Sequence, residues 1–335
     1  MLPIFTVQNE IDINRFDKQV RIDKGYFGTV YSIEDKKTHV NYAAKIIDCG
    51  DDEEQCNKII DREIRIMIYC RHPTIIKFIG YSKIDFHHEN NVTIIMELAK
   101  NGSLEDVLKN IRSSHGPINY TNTTRQIIIT GIARAIKYLH DRDIIHRDLK
   151  PGNILLDENF RPHISDFGMS KICEIGHTKS QSQFGGTLIY EAPEIFENAP
   201  YDKKVDVYAF AIVMFEVVTD CFPYPELIKG ELQAALLPNK VLKENYRPVF
   251  QFPVKDPLKK LIEKCWSKDP DERPTFTEIF HKLTNIKENC LLDDVDMDEF
   301  TMYVEDITEI TDTIEKLLNK IEILEKKKYK IGGKK

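Results

Sequence analysis

The chain has 335 residues, 41% apolar and 30% charged, the balance of a globular protein with a sizeable core rather than of a disordered one. Its 47 basic and 54 acidic residues leave a net charge of −7, a surface that repels phosphate backbones and argues against a nucleic-acid partner. The 15 glycines and 15 prolines show no period, which excludes collagen-like and low-complexity chains.

In chain order, Met1 to Glu10 carries no basic segment and no small-residue cleavage site, so a secretory leader is not expected. From residue 16 to about 100, short β-branched and aromatic runs such as Gly28–Ile33 and Asn91–Met96 predict strands. One helix interrupts them, from Asp52 to Cys70, with Ile59, Ile60, Glu63, Ile64 and Met67 at helical spacing. Helical patterns dominate from Ser103 to Leu283: Thr123–His140 has one broad apolar face, and Val205–Val218 is apolar nearly all round, as a buried central helix should be. The longest uncharged apolar run, Val207 to Phe215, falls far short of the ~20 residues of a membrane span. A small β-rich lobe followed by a larger helical lobe is an α+β layout with a ligand-binding crevice between the lobes.

After Leu283 the composition shifts to Asp and Glu over 288–312 and to six lysines over 326–335. Between them Ile307, Ile310, Ile314, Leu317, Ile321 and Leu324 form a short heptad seam. Three arrangements stay open for it: a weak homodimer through 304–328, a single helix docked on its own chain, or no fixed structure. Cys49, Cys56, Cys70, Cys173, Cys221, Cys265 and Cys290 include no C-x-x-C pair. Their odd number argues against a disulfide framework and for a reducing compartment, the cytoplasm or the nucleus. They are expected to act as buried small hydrophobes.

The motifs carry the chemistry. Asp23-Lys24-Gly25-Tyr26-Phe27-Gly28-Thr29-Val30 lies between two strand patterns, where glycines let a hairpin backbone approach a phosphate. Lys45 ends the apolar run Tyr42-Ala43-Ala44-Lys45 and could bind anionic oxygens if an acid fixes its direction; Glu63 on the apolar side of the next helix is the natural partner. His146-Arg147-Asp148-Leu149-Lys150-Pro151-Gly152-Asn153 places an acid, a base and an amide carbonyl within six positions, and Asp166-Phe167-Gly168 follows. Asp148 can take a hydroxyl proton, Lys150 can neutralise a phosphoryl oxygen, and Asn153 and Asp166 are the hard oxygen ligands that Mg²⁺ prefers.

In this order and spacing the motifs resemble those of the eukaryotic protein kinases, from about Phe16 to Leu283. The resemblance implies the bilobal kinase fold, with an N-terminal lobe over about 16–96, a hinge over 97–102 and a C-terminal lobe over 103–283. Residues 1–15 then form an extension, and 284–335 an acidic linker with the heptad-patterned helix. It implies ATP as phosphate donor with Mg²⁺, or Mn²⁺ in its place, and protein substrates. Carried over by residue, Gly25 and Gly28 belong to the nucleotide-covering loop, Lys45 paired with Glu63 meets the α- and β-phosphates, and Asp148 is the catalytic base. Lys150 meets the γ-phosphate, and Asn153 and Asp166 hold the metal. Ile22, Val30, Ala43 and Leu155 fall among the adenine-site positions, Met96 at the gatekeeper, and Glu97 to Ala99 in the hinge whose backbone meets the adenine edge. Glu194 of Ala192-Pro193-Glu194 is expected to pair with Arg273, and Asp206 to bind the backbone of the catalytic loop.

Lys150 and Thr187 resemble the serine/threonine-specific pattern, while Asn101-Gly102-Ser103-Leu104, the Asp206–Phe210 run and Cys265-Trp266 look like the tyrosine-kinase-like group. The reading is a tyrosine-kinase-like serine/threonine kinase in intracellular signalling; the alternatives are dual specificity and a pseudokinase scaffold. Three positions depart from the pattern: Asp23 replaces the first loop glycine, Ala211 a glycine of the central helix, and Glu191 the apolar residue before Ala192. Asp23 is expected to alter nucleotide affinity, Ala211 to be absorbed by packing, and Glu191 to bear on substrate preference. Because Arg147 precedes the base, phosphorylation at Thr178, Ser180 or Ser182 would pair with Arg147 and Lys171; Gln183 occupies the position that family comparison favours.

Overall fold

The computed structural model describes residues 9–25, 28–49, 53–172, 188–197, 199–230 and 233–309. Tyr26, Phe27, the three candidate phosphorylation sites, Thr187 and the heptad seam beyond residue 309 lie outside the described residues.

An antiparallel five-stranded sheet comes first: β1 (Phe16–Gly25), β2 (Gly28–Asp35), β3 (Asn41–Ile46), β4 (Phe78–Ser82) and β5 (Thr93–Glu97), in the order β1-β2-β3-β5-β4. β-Branched and aromatic residues recur along these strands and suit the pleated backbone; β5 is buried from Thr93 to Met96, whereas β1 is largely exposed beyond Phe16. One side packs on Ile13, Phe16, Ile33, Ala44 and Ile95, with Ile11 against them. The last residues of the expected N-terminal extension are therefore part of this lobe's packing, and the Ile11 amide donates to the Tyr81 carbonyl at 2.8 Å. The other side faces α1 (Glu53–Tyr69), whose stripe Ile60, Ile64 and Met67 is buried and carries Glu63 with it.

One expectation is overturned here. Cys49, just after β3, and Cys56, in the first turns of α1, form a disulfide across a Cα–Cα distance of 5.4 Å. An odd total speaks against a framework of bridges, not against one local pair that a chain reversal brings together. Cys70, Cys265 and Cys290 are free and buried, as small hydrophobes.

The second lobe is built on α2 (Leu104–Arg112), α3 (Asn122–His140) and α5 (Lys204–Thr219). Capping boxes start the first two, Ser103 with Asp106 and Thr121 with Thr124, satisfying amides that a helix start would leave open. From Val205 to Val217 every residue of α5 is buried; α8 (Asp256–Cys265) and α9 (Phe276–Thr284) complete its surroundings, and Ala211 is fully enclosed. Two short antiparallel pairs, β6 (Ile144–Ile145) with β9 (Lys171–Ile172) and β7 (Ile154–Leu156) with β8 (Pro162–Ile164), carry the motif loops along the cleft. Among the described residues no helix is long and apolar enough to cross a membrane.

Past α9 the chain turns back onto α3. Thr123 Oγ1 accepts from the Asp296 amide at 2.8 Å, and Gln126 Oε1 from the Leu292 amide at 3.1 Å. A helix over 297–309 (α10; α4, α6 and α7 are Pro193–Phe196, Pro225–Ile228 and Leu237–Lys243) then buries Phe300, Tyr303 and Ile307 against Ile127 and Leu291. Ile307, the first seam position, is thus packed inside the protomer and cannot serve a pairing face.

Gly131 makes this docking possible. A Cβ there would run into the Tyr303 hydroxyl and lie 2.5 Å from Pro162 Cγ. In a free helix Gly→Ala gains up to ~1 kcal/mol; here overpacking reverses the sign, and Gly131→Ala should cost about 1–3 kcal/mol. Thermal unfolding checks it: a raised midpoint would show that α10 does not sit on α3.

Candidate active site

A cleft of about 590 Å³ separates the lobes. Its roof is the β1–β2 hairpin, in which Gly25 and Gly28 face each other in register. Gly28 has φ +139°, and a Cβ on it would collide with the Ile46 carbonyl; only glycine fits without moving β3. A Cβ on Gly25 would meet nothing within 4 Å, so its bareness opens space toward the cleft. Ile22, Asp23, Val30, Ala43, Met96, Ala99 and Leu155 also line the cleft, and Asp23 Oδ1 accepts from the Lys24 amide at 2.7 Å.

Lys45 sits on β3 opposite Val30 and Ile94. Its Nζ lies 2.8 Å from Glu63 Oε1 and 3.1 Å from Asp166 Oδ1, so one ammonium ties β3, α1 and the 166–168 turn together. Burial alone would drive the lysine's pKa down; the Asp166 and Glu63 charges outweigh it and hold it above the ordinary range. For Glu63 burial wins, with Asp166 repulsion adding to it, and its pKa is raised; Asp166, also opposed by burial, is held low by Lys45.

Below the cleft, Asp148 Oδ2 accepts from Lys150 Nζ at 2.7 Å and from Asn153 Nδ2 at 2.8 Å. The same Asn153 nitrogen donates to the Asp148 carbonyl at 2.7 Å, which turns the amide's donor side to Asp148 and leaves Oδ1 as its acceptor oxygen. That oxygen and the Asp166 carboxylate border one cleft, a donor set that suits a hard divalent cation completing its shell with phosphate oxygens.

The 146–148 loop is pinned from beneath. Buried Asp206 accepts from the His146 amide at 2.8 Å and the Arg147 amide at 2.9 Å, and His140 Nε2 lies 2.8 Å away. Burial works against the Asp206 charge, but the His140 ring and the Arg147 amide outweigh it and its pKa falls below the ordinary carboxylate range. The two amides hold Arg147 at φ +69°, a conformation that costs of order 1 kcal/mol or more in a residue with a Cβ. Phe167 is buried edge-on against His146 at 5.5 Å, which leaves the adjacent Asp166 to face the cleft. Glu194 and Arg273 form a buried two-pronged pair, at 2.6 and 2.8 Å. The nucleotide-, metal- and catalytic-site candidates named from the sequence thus all line one cleft.

Over residues 16–283 the sequence matches the protein kinase domain family model. The chain belongs to the protein kinase family. Protein kinases use ATP with a divalent metal ion. The chain is 34% identical to the probable serine/threonine-protein kinase drkC of Dictyostelium discoideum, over 82% of this chain and 35% of that one. It is 31% identical to the dual specificity protein kinase shkB of the same organism, over 87% and 42% of the two chains. Against the serine/threonine-protein kinase STY17 of Arabidopsis thaliana it is 31% identical over 83% and 45%. The matched kinase segment spans less than half the length of each of these three relatives.

Motif reading missed one charged group beside the end of β5. His163 on β8 lies 3.1 Å from Glu97 Oε1, an ion pair rather than an aligned hydrogen bond, and 3.9 Å from Asp157 Oδ2. A lone histidine opposite Leu155 in a three-residue strand carries no signal in the sequence; only the fold brings the two acids to it. Burial lowers its pKa, but Asp157 and Glu97 outweigh burial and raise it to about 9, from 6.5. Because the folded value lies above the unfolded one, the stabilisation is complete below pH 6.5 and is lost as pH rises through 9, on the order of 3 kcal/mol in all. The stability gap between the protein and His163→Gln should therefore be wide at pH 6 and largely closed at pH 9.5 in urea unfolding. An equal gap at both would remove His163 from this role.

Proposed function

We propose that this chain transfers the γ-phosphate of ATP to serine and threonine hydroxyls of protein substrates, as a tyrosine-kinase-like serine/threonine kinase. The observation that carries the reading is the convergence of two charged sets on one cleft, Lys45 with Glu63 and Asp166 above, Asp148 with Lys150 and Asn153 below. Such a transfer spreads charge over three phosphoryl oxygens, so catalysis is mostly positioning and electrostatic stabilisation. Bound Mg²⁺ would supply positive charge, held by Asn153 and Asp166. Gly25 and Gly28 cover the phosphates, Lys45 steadied by Glu63 orients them, and Lys150 meets the transferred group. Asp148 aligns the attacking hydroxyl and takes its proton. Ile22, Val30, Ala43, Met96 and Leu155 enclose the adenine, with the backbone of Glu97 to Ala99 at its edge. The lobes on this reading are 16–96 and 103–283, joined by a hinge over 97–102.

The test is incubation of the full chain with γ-labelled ATP, Mg²⁺ and a generic basic protein, followed by phosphoamino-acid analysis. Labelled phosphoserine or phosphothreonine is expected, together with an ATP–Mg²⁺-dependent rise in the unfolding midpoint. No label in any amino acid overturns the reading. Label in tyrosine as well would support dual specificity, the activity that the relative shkB is named for.

A further inference from the structure

We propose that Glu191 selects a lysine or arginine of the protein substrate, lying within about three residues of the hydroxyl that receives phosphate; the assignment rests on the phosphotransfer reading above.

Glu191 is set between a 3-10 turn, Leu188–Tyr190, and Ala192, which caps α4. Its amide reaches back to the Leu188 carbonyl at 3.4 Å, so the backbone is fixed on both sides. The residue lines the same cleft as Asp148, whose apolar lining includes Ala192, Ile195 and Ala209. Glu191 Oε2 is buried and has no hydrogen-bond partner among the described residues, an arrangement that costs free energy until a donor arrives. Burial first, and then the like charge of Asp148, raise its pKa to about 6 against the opposing pull of Arg147. At neutral pH it is still mainly ionised.

The neighbouring cations are committed elsewhere. Arg147 Nη1 donates to the Met169 carbonyl at 3.4 Å and its guanidinium lies over the Tyr201 ring, while Lys150 is on Asp148. The other acids along this side are already bonded: Glu105 to Lys109, Asp106 to Ser103, and Glu216 to both Arg112 and Tyr190. Glu191 therefore presents a partly dehydrated carboxylate, near enough to Asp148 to feel its charge, with an oxygen that an ammonium or guanidinium would satisfy. In such a site a charge-assisted hydrogen bond is about twice as strong as a neutral one. A peptide whose hydroxyl reaches Asp148 brings only its near neighbours within range, because an extended chain advances ~3.3–3.6 Å per residue.

The test uses fluorescent alanine-based peptides with one central serine and a single lysine or arginine moved through the flanking positions. Their binding to the full chain is read by anisotropy, and transfer from ATP–Mg²⁺ is read in parallel. A basic residue at one position should tighten binding roughly tenfold or more over alanine. Glu191→Gln should bring that ratio toward one. Glu191→Lys should invert it, so that a glutamate peptide binds better, a result that an unfolded variant cannot produce. Equal affinities across the wild-type series, or a preference that survives in Glu191→Gln, overturn the assignment. Discrimination without any transfer would support the Glu191 contact and overturn the phosphotransfer reading; transfer indifferent to the basic residue would do the reverse.

Discussion

Replacing Asp148 by asparagine is expected to slow phosphate transfer by ~10²–10⁴-fold, the usual contribution of a positioned general base. The substitution keeps the volume of the side chain but removes its negative charge and one of its two oxygens, while the remaining oxygen can still accept from Lys150 and Asn153, which converge on Oδ2 at 2.7 and 2.8 Å. An amide can keep those bonds, but it cannot take a proton from an incoming hydroxyl. Nucleotide contacts on the Lys45 side are untouched, so ATP–Mg²⁺ should still raise the unfolding midpoint of Asp148→Asn while single-turnover transfer collapses. A variant that transferred at the wild-type rate would place the proton acceptor elsewhere. Loss of both the rate and the nucleotide-dependent stabilisation would mean that Asp148 organises the cleft rather than the proton.

The largest effect on stability is expected at Glu194 and Arg273. The arginine side chain is fully buried and the glutamate nearly so, and the guanidinium also donates to the carbonyls of Ser267 and Lys204 at 2.9 and 3.0 Å. Removing the carboxylate in Glu194→Ala leaves that charge buried without its counterion, at a cost of about 3–5 kcal/mol. In a domain of this size the midpoint should fall by roughly 10 °C. Arg273→Lys should also destabilise, because a lysine cannot span both carboxylate oxygens and the two carbonyls with one nitrogen. The double replacement Glu194→Leu with Arg273→Met should recover part of the loss, since it removes the uncompensated charge. Differential scanning calorimetry of the three variants decides it: a single variant within about 2 °C of the wild type would show that the pair is not stability-bearing.

Much of the fold and the site was legible in the sequence because its signals are local. Apolar spacing marked α1, α3 and α5 to within a residue or two at their ends, since a helix buries whatever recurs on one face. Glu63 could be matched to Lys45 because it falls in the same buried stripe as Ile60, Ile64 and Met67. The residues from His146 to Asn153 and from Asp166 to Gly168 were readable because chemistry demands those types at close spacing, and short loops keep neighbours together. Asp206 reaching the 146–147 amides and Glu194 reaching Arg273 required the resemblance as well, since about 60 and 79 residues separate the partners.

Element order, the two-lobed α+β layout and the members of the candidate site therefore follow from signals local to the chain. Contacts between separate elements create the rest: the His163 charge between Glu97 and Asp157, the Cys49–Cys56 bridge, the burial of Ile307 against Ile127 and Leu291, and the Glu191 oxygen that has no hydrogen-bond partner among the described residues. The physical reason is the same in each case. Periodicity and motif spacing record what a residue does to its own strand, helix or loop, whereas dehydration, like-charge repulsion and close packing depend on groups from other elements. A heptad pattern shows only that one helix face is apolar; that its first position, Ile307, packs with Ile127 and Leu291 depends on groups far away in the chain.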